Sequence, residues 1–188
     1  MKLLLLLSTL FLSLSASITL PSNFTSSFQQ TITNENSKVI NYKGKIYFKE
    51  LVETVADDSG IEHSYTRSLF KWNYTAPSKK EVCTDGVQLT VIDHDLEQVA
   101  NYLVDEQINL KEILSLAKKI SSNDYQASYK DIEYLITLDS KNQLSKIVYV
   151  DNLDNHVKIL FSNMEYNGAL DKNLLECIAP TEYDIIKG

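Results

Sequence analysis

The sequence predicts an α+β fold that is mainly β: one large antiparallel sheet, curled on itself and covered on its apolar side by helices. Three observations carry this reading. From Tyr42 onward, aromatic and β-branched residues recur at every second position over much of the chain. Turn clusters such as Asp57-Asp58-Ser59-Gly60, Asp85-Gly86 and Ser140-Lys141-Asn142 separate these runs at short intervals, as in a meander of hairpins. A sheet of eight or more strands curls, and only two segments read as sizeable helices to cover it.

The chain opens with Lys2, an apolar stretch from Leu3 to Leu14 and the small residues Ser15-Ala16-Ser17. This is the pattern of a secretory signal peptide over residues 1–17, with a mature chain starting near Ile18. The apolar stretch falls short of the ~20 residues that a spanning helix needs. Residues 18–188 are expected to form a single domain, large enough to bury a proper core.

Phe24, Phe28 and Ile32 recur at intervals of four after Pro21-Ser22, which predicts an amphipathic helix packed on the sheet. Tyr42, Gly44, Ile46 and Phe48 then fall on one side of a strand, with Lys43, Lys45 and Lys49 on its wet side. Leu51 to Ser64 reads as a protruding hairpin or loop. Strand character resumes from Tyr65 to Tyr74 with aromatics at 70, 72 and 74, and stops near Pro77. It continues as Lys80–Thr84 and Val87–Ile92 about Asp85-Gly86, a two-residue hairpin signal, and then as Gln98–Val104. Asn109 to Lys119 predicts a short helix with Asn109 as N-cap, an apolar stripe of Leu110, Ile113, Leu114 and Ala117, and Lys118-Lys119 in its last turn. Four strands follow: Tyr125–Tyr129, Ile132–Leu138, Leu144–Val150 and His156–Met164.

Charge and cysteines narrow the function classes. The chain carries −7 formally, −8 without Lys2, and has no basic stripe to follow a phosphate backbone, which excludes nucleic acid as a natural ligand. Acidity also disfavours passive adhesion to anionic lipid surfaces. Cys83 and Cys177 sit far apart in a chain expected in an oxidising compartment, which leaves open a disulfide or two separate buried thiols. Two cysteines and three scattered histidines make no metal cluster. Asp93-His94-Asp95 is the one enzyme-like constellation, but no nucleophile with a supporting base accompanies it, and a turn ordinarily holds such residues. The chain is therefore read as a non-enzyme without a cofactor.

Several segments, in order, resemble the LolA family of periplasmic lipoprotein carriers: Phe24-x3-Phe28-Gln29-Gln30, Tyr42-Lys43-Gly44-Lys45-Ile46-Tyr47-Phe48-Lys49, Phe70-Lys71-Trp72-x-Tyr74-x2-Pro77, Asp85-Gly86, and Asp93-x-Asp95-Leu96-x-Gln98-Val99. Pro180 and Tyr183-Asp184-Ile185-Ile186 are similar to the family's closing segment, and Lys79-Lys80-Glu81 is most similar to versions from epsilon-type Gram-negative bacteria. The resemblance implies an unclosed, strongly curved antiparallel half-barrel, with helices forming a lid over its concave apolar face. It implies a monomer that takes triacylated lipoproteins from an inner-membrane ABC transporter of the LolCDE type and delivers them at the outer membrane, where the sequence names no acceptor.

On that resemblance, candidate acyl-binding residues are Ile46, Phe48, Phe70, Trp72, Leu89, Val91 and Leu103 from the sheet, with Leu110, Ile113, Leu114 and Ala117 from the lid; for each, the alternative is ordinary core packing. Family members commonly carry an arginine, soon after the glycine-led strand, that bonds the lid. Here Lys49 is followed by Glu50-Leu51 and an extra 50–68 segment, so Arg67 either stands in as lid latch or is a solvated strand residue. A rival to lipid carriage is an envelope-sensing or protein-binding module on the same half-barrel, with the 50–68 segment as its contact surface.

Overall fold

The computed structural model describes residues 18–103 and 110–187; the expected signal peptide and Asn109 lie outside the described residues. Its strands are β1 (Asn23–Thr33), β2 (Val39–Ala56), β3 (Glu62–Ala76), β4 (Lys80–Thr84), β5 (Gln88–Asp93) and β6 (Gln98–Leu103). After helix α1 (Leu110–Leu116) come β7 (Lys118–Lys119), β8 (Asp124–Tyr129), β9 (Ile132–Leu138), β10 (Leu144–Val150), β11 (His156–Tyr166), a 3-10 turn at Lys172–Leu175, and β12 (Asp184–Lys187). All belong to one sheet in the order β12-β6-β5-β4-β3-β2-β1-β11-β10-β9-β8-β7. The mainly-β, curved, open sheet with a helix over its concave side agrees with the predicted fold class.

The segment around Phe24, Phe28 and Ile32 corrects the sequence reading: it is β1, not a helix. A spacing of four satisfies a period of two as well as a helical stripe. The residues between and just after them, Thr25, Ser26, Ser27, Thr31 and Thr33, tip the balance toward extended backbone, because β-branched and hydroxyl side chains favour strands and local backbone bonds over helix. β1 is bonded to β2 on one side and β11 on the other, so it joins the two halves of the sheet. Only α1 therefore covers the concave face among the described residues.

Other boundaries move by less. α1 stops at Leu116, and Lys118-Lys119, expected in its last turn, instead forms β7 against β8. Two lysines on so short an edge strand discourage further pairing there. Asp85-Gly86 lies in a four-residue connection, since the last β4–β5 pair is Thr84 with Leu89, and Gly86 takes a positive φ of 92°. The sheet also departs from pure antiparallel order, because β12 runs parallel to β6.

That parallel strand ends a strap along the outer face. Lys71, between the inward Phe70 and Trp72, points outward and is buried; its Nζ bonds Glu81 at 2.8 Å and donates to the Glu176 carbonyl at 2.8 Å. Beside it, Cys83 is disulfide-bonded to Cys177, with Cα atoms 5.9 Å apart. The thiols neighbouring Glu81 are thus joined to each other rather than free for a metal. His94 Nδ1 meets the Tyr183 hydroxyl at 3.1 Å, fixing the far end of the strap.

Curvature is set in the middle of the sheet. Gly44 pairs with Phe28 of β1 and Tyr74 of β3, next to a register shift at Lys43/Gly44. A Cβ there would collide with the Asn73 carbonyl and stand 2.9 Å from the Phe28 ring, so a side chain would force β2 and β3 apart. Further register shifts in β1/β11 and β9/β10 bend the other half.

Two outcomes follow from this framework. Gly44→Ala should lower stability by about 1–3 kcal/mol through overpacking, measured by urea unfolding. Replacing both Cys83 and Cys177 with Ala should cost about 2–5 kcal/mol, because the bridge closes a loop of 94 residues; an unchanged midpoint would contradict a bridge in the folded protein.

Candidate functional site

Strand alternation builds the inner wall. On β3, Phe70, Trp72 and Tyr74 face inward, opposite Phe48, Ile46 and Gly44 of β2. Because Gly44 has no side chain, the Phe28 ring drops over it and sits edge-on to Trp72 at 4.6 Å and to Tyr74 at 5.1 Å between centroids. Phe70 continues the aromatic array, 5.5 Å from Trp72 and 6.2 Å from Phe48. The opposite wall comes from Tyr134 of β9, Ile147 and Tyr149 of β10, and Ile159 and Phe161 of β11. Between the walls lies a hollow of about 570 Å³, within the range of small-molecule sites.

The sequence candidates divide into three groups. Phe48, Phe70, Trp72, Leu89, Leu110 and Ile113 line the hollow together. Ile46, Leu114 and Ala117 are fully buried in the surrounding core, supporting the walls from behind. Val91 shares a register row with Val82 and Ala100 and is half-buried, while Leu103 ends β6 opposite Gln88 and its side chain lies outside the described residues. The far wall escaped the sequence reading, although alternation in β10 and β11 marks it: Ile147, Tyr149, Val157, Ile159 and Phe161 are buried at every second position. What sequence did not show is that β1 pairing brings β11 round to face β3, so that Phe161 stands 6.3 Å from Trp72.

α1 lies across the opening. Leu110 and Ile113 reach the hollow, while Leu114 packs in the core and the helix rests against β8. It is tied on two sides. Lys111 forms an ion pair with Glu50 of β2, and Glu112 accepts a hydrogen bond from Tyr129 of β8, whose phenol pKa is raised by burial and by that bond. The guanidinium of Arg67 turns elsewhere: it pairs with Glu53 and donates to the Asp85 carbonyl at 3.4 Å, leaving Nε buried and unbonded. The side chains tying the helix to the sheet are Lys111 and Glu112, not Arg67.

Charge is kept out of the interior. Of the lining residues only Arg67 and Lys111 are cationic, both beside carboxylate partners, and none is anionic. The other polar groups of the lining are uncharged: the phenols of Tyr74, Tyr134 and Tyr149, with Gln30, Thr66, Ser68 and Thr84. Burial pushes the Tyr74 hydroxyl up to about 12 and raises Tyr149 further, so both are neutral at physiological pH. The Asp93-His94-Asp95 triplet lies on the outer side and is structural: Asp93 pairs with Lys80 at 3.0 Å and caps the β5–β6 turn, and Asp95 accepts from the Lys79 backbone.

The phenols give a pH signature. A raised folded-state pKa means stability that is complete below pH ~10, the ordinary tyrosine value, and is lost as pH climbs toward about 12 for Tyr74. Alkaline unfolding should therefore set in between those values, and Tyr74→Phe should weaken that pH dependence, followed by circular dichroism across an alkaline titration.

Comparison with known proteins places this architecture. The profile of the family described as outer membrane lipoprotein carrier protein LolA matches residues 67–133. An outer-membrane lipoprotein carrier protein of Campylobacter jejuni is 30% identical over 164 residues, covering 87% of this chain and 86% of the relative. Carrier proteins of the same name from Wolinella succinogenes and Helicobacter hepaticus are 29% identical over 165 residues (88% of this chain, 87% of the relative) and 24% over 160 residues (85% and 80%). With an open curved sheet and similarity along most of its length, this chain belongs to the LolA family of outer-membrane lipoprotein carrier proteins.

Proposed function

We propose that the chain is exported, loses residues 1–17, and works in the periplasm as a carrier that shields the acyl chains of lipoproteins between the inner and the outer membrane. Cargo is received from an ABC transporter of the LolCDE type and released at the outer membrane, without covalent chemistry. The observation that carries this reading is the hollow beneath α1, lined by aromatic and aliphatic side chains, with its charges confined to paired groups at the rim. No described helix is long and apolar enough to cross a membrane.

The energetics fit the task. Exposing acyl carbon to water costs ~0.8 kcal/mol per methylene, so a chain of about sixteen carbons left unshielded costs on the order of 12 kcal/mol. Rings such as Phe70 and Trp72 offset that cost by taking the place of the membrane interior. A three-chain lipid is larger than the drug-sized ligands that such a volume suits, so loading requires α1 to swing outward. The helix has seven residues, too few to be stable alone. It is held by its apolar face and two polar ties, an arrangement that opens at modest cost. Lys111 and Glu50 thus act as the lid latch in place of Arg67.

Mass spectrometry of the protein purified from its native envelope tests the reading. Acylated peptides should accompany the unaltered protein and be depleted at least tenfold in Phe70→Asp, since a carboxylate facing the acyl chains costs several kcal/mol; absence of acylated species from the unaltered protein would overturn the carrier reading. For the latch, Lys111→Ala should speed exchange of a bound fluorescent fatty acid by about two- to fivefold, the range set by partly exposed ion pairs, measured by stopped-flow displacement.

A further inference from the structure

Beyond the hollow, the β2–β3 hairpin leaves the sheet as an arm. β1–β2 pairing ends at Asn23 with Lys49, and β3–β4 pairing begins at Phe70 with Thr84, whereas β2 and β3 stay paired as far as Ala56 with Glu62. The ribbon therefore runs some seven residues past its neighbours, about 20 Å, with a backbone edge on each side left unpaired by the described strands. Its side chains include exposed Val52, Val55, Ile61 and Tyr65.

An isolated two-stranded ribbon is marginal in water, yet this one is braced at both ends. At the tip, Asp57 accepts from the backbones of Ser59 (2.9 Å) and Ile61 (3.0 Å) and pairs with His63 (2.9 Å). At the root, Arg67 joins Glu53 to the Asp85 carbonyl, and Gly86 lies against Arg67 and Ser68. That bracing orders backbone edges that no other described strand pairs with.

We propose that this arm docks the extended polypeptide that follows the acylated residue of the cargo; the proposal rests on the carrier reading above. Continuity with the hollow favours this occupant. Thr66 and Ser68 of the arm line the hollow together with Gly86, Val87 and Lys111, so the inner face of the ribbon prolongs the wall at the rim. A chain leaving the hollow there passes the free edge of β3, where an extended peptide adds as a further strand. Along the inner row, Val52, Thr54, Ala56, Ser64 and Thr66 are small enough for a backbone to lie close. Charge sets the chemistry of the partner: from Leu51 to Thr66 there are four carboxylates and neither Lys nor Arg, which favours a neutral to cationic peptide.

Binding of two probes to the full mature chain tests this: tripalmitoyl-cysteine followed by Ser-Lys-Lys-Lys-Lys, and tripalmitoyl-cysteine amide without a peptide. Two variants are compared with the unaltered protein at low salt. One carries Asp58→Lys with Glu62→Lys; the other has residues 53–65 replaced by an Asn-Gly turn. Both variants should bind the tailed probe more weakly, the charge variant by about fivefold, as expected for a few exposed ion pairs, and both should bind the tail-less probe as the unaltered protein does. Equal binding of the tailed probe by the unaltered protein and the charge variant overturns the docking proposal and leaves the carrier reading standing. Failure of the unaltered protein to bind either probe overturns both.

Discussion

Everything in this structure depends on β1 being shared between two half-sheets. It is bonded to β2 along eleven residues and to β11 on its other edge, so the first and last long strands of the chain are neighbours and the sheet must curl to accommodate both. Phe28 on β1, seated over Gly44, turns this pairing into a shape: a glycine in β2 lets an aromatic ring from β1 reach Trp72 and Tyr74 on β3. The walls that face each other are consequently rich in rings, and the space between them is larger than the interior side chains fill.

A vacancy of this kind has a thermodynamic consequence. Ordinary cores are packed to crystal-like density, and space without partner atoms forfeits dispersion contacts. Stability is supplied from elsewhere, by the continuous ladder of the sheet, the buried cluster around Ile46, Ile136 and Leu144, and the outer strap held by Cys83–Cys177 and Lys71. The strap and the hollow lie on opposite faces of β3 and β4. The rigid strap and the α1-covered hollow are thereby separated, so the opening of α1 proposed above would leave the wall it covers in place.

Much of this was legible in the residues. Period-two alternation located β2 through β5 and β8 through β11 to within a few positions, and the Leu110, Ile113, Leu114 stripe located α1. β1 was misread because Phe24, Phe28 and Ile32 are spaced at a multiple common to both periods; the intervening Ser and Thr residues lean toward a strand, and pairing with β2 and β11 fixes it. The far wall, Tyr149 and Phe161 included, was visible as alternation but not as a wall, because facing depends on the curl. The Lys111–Glu50 ion pair was hidden for a related reason: the two residues are separated by most of the sheet's first half, and an exposed lysine carries no mark of its partner. Arg67 drew attention as an arginine near the family's expected position, yet the extra arm supplies Glu53, a closer partner than the helix.

The central claim is that hydrocarbon occupies the space beside Trp72. The chain has a single tryptophan, and it lines the hollow, so its fluorescence reports on that space alone. Titration with a lipopeptide bearing brominated acyl chains should quench Trp72 emission saturably, and an unbrominated lipopeptide should reverse the quenching by competition. Saturable binding of the brominated probe with emission unchanged would place the lipid elsewhere and contradict the account.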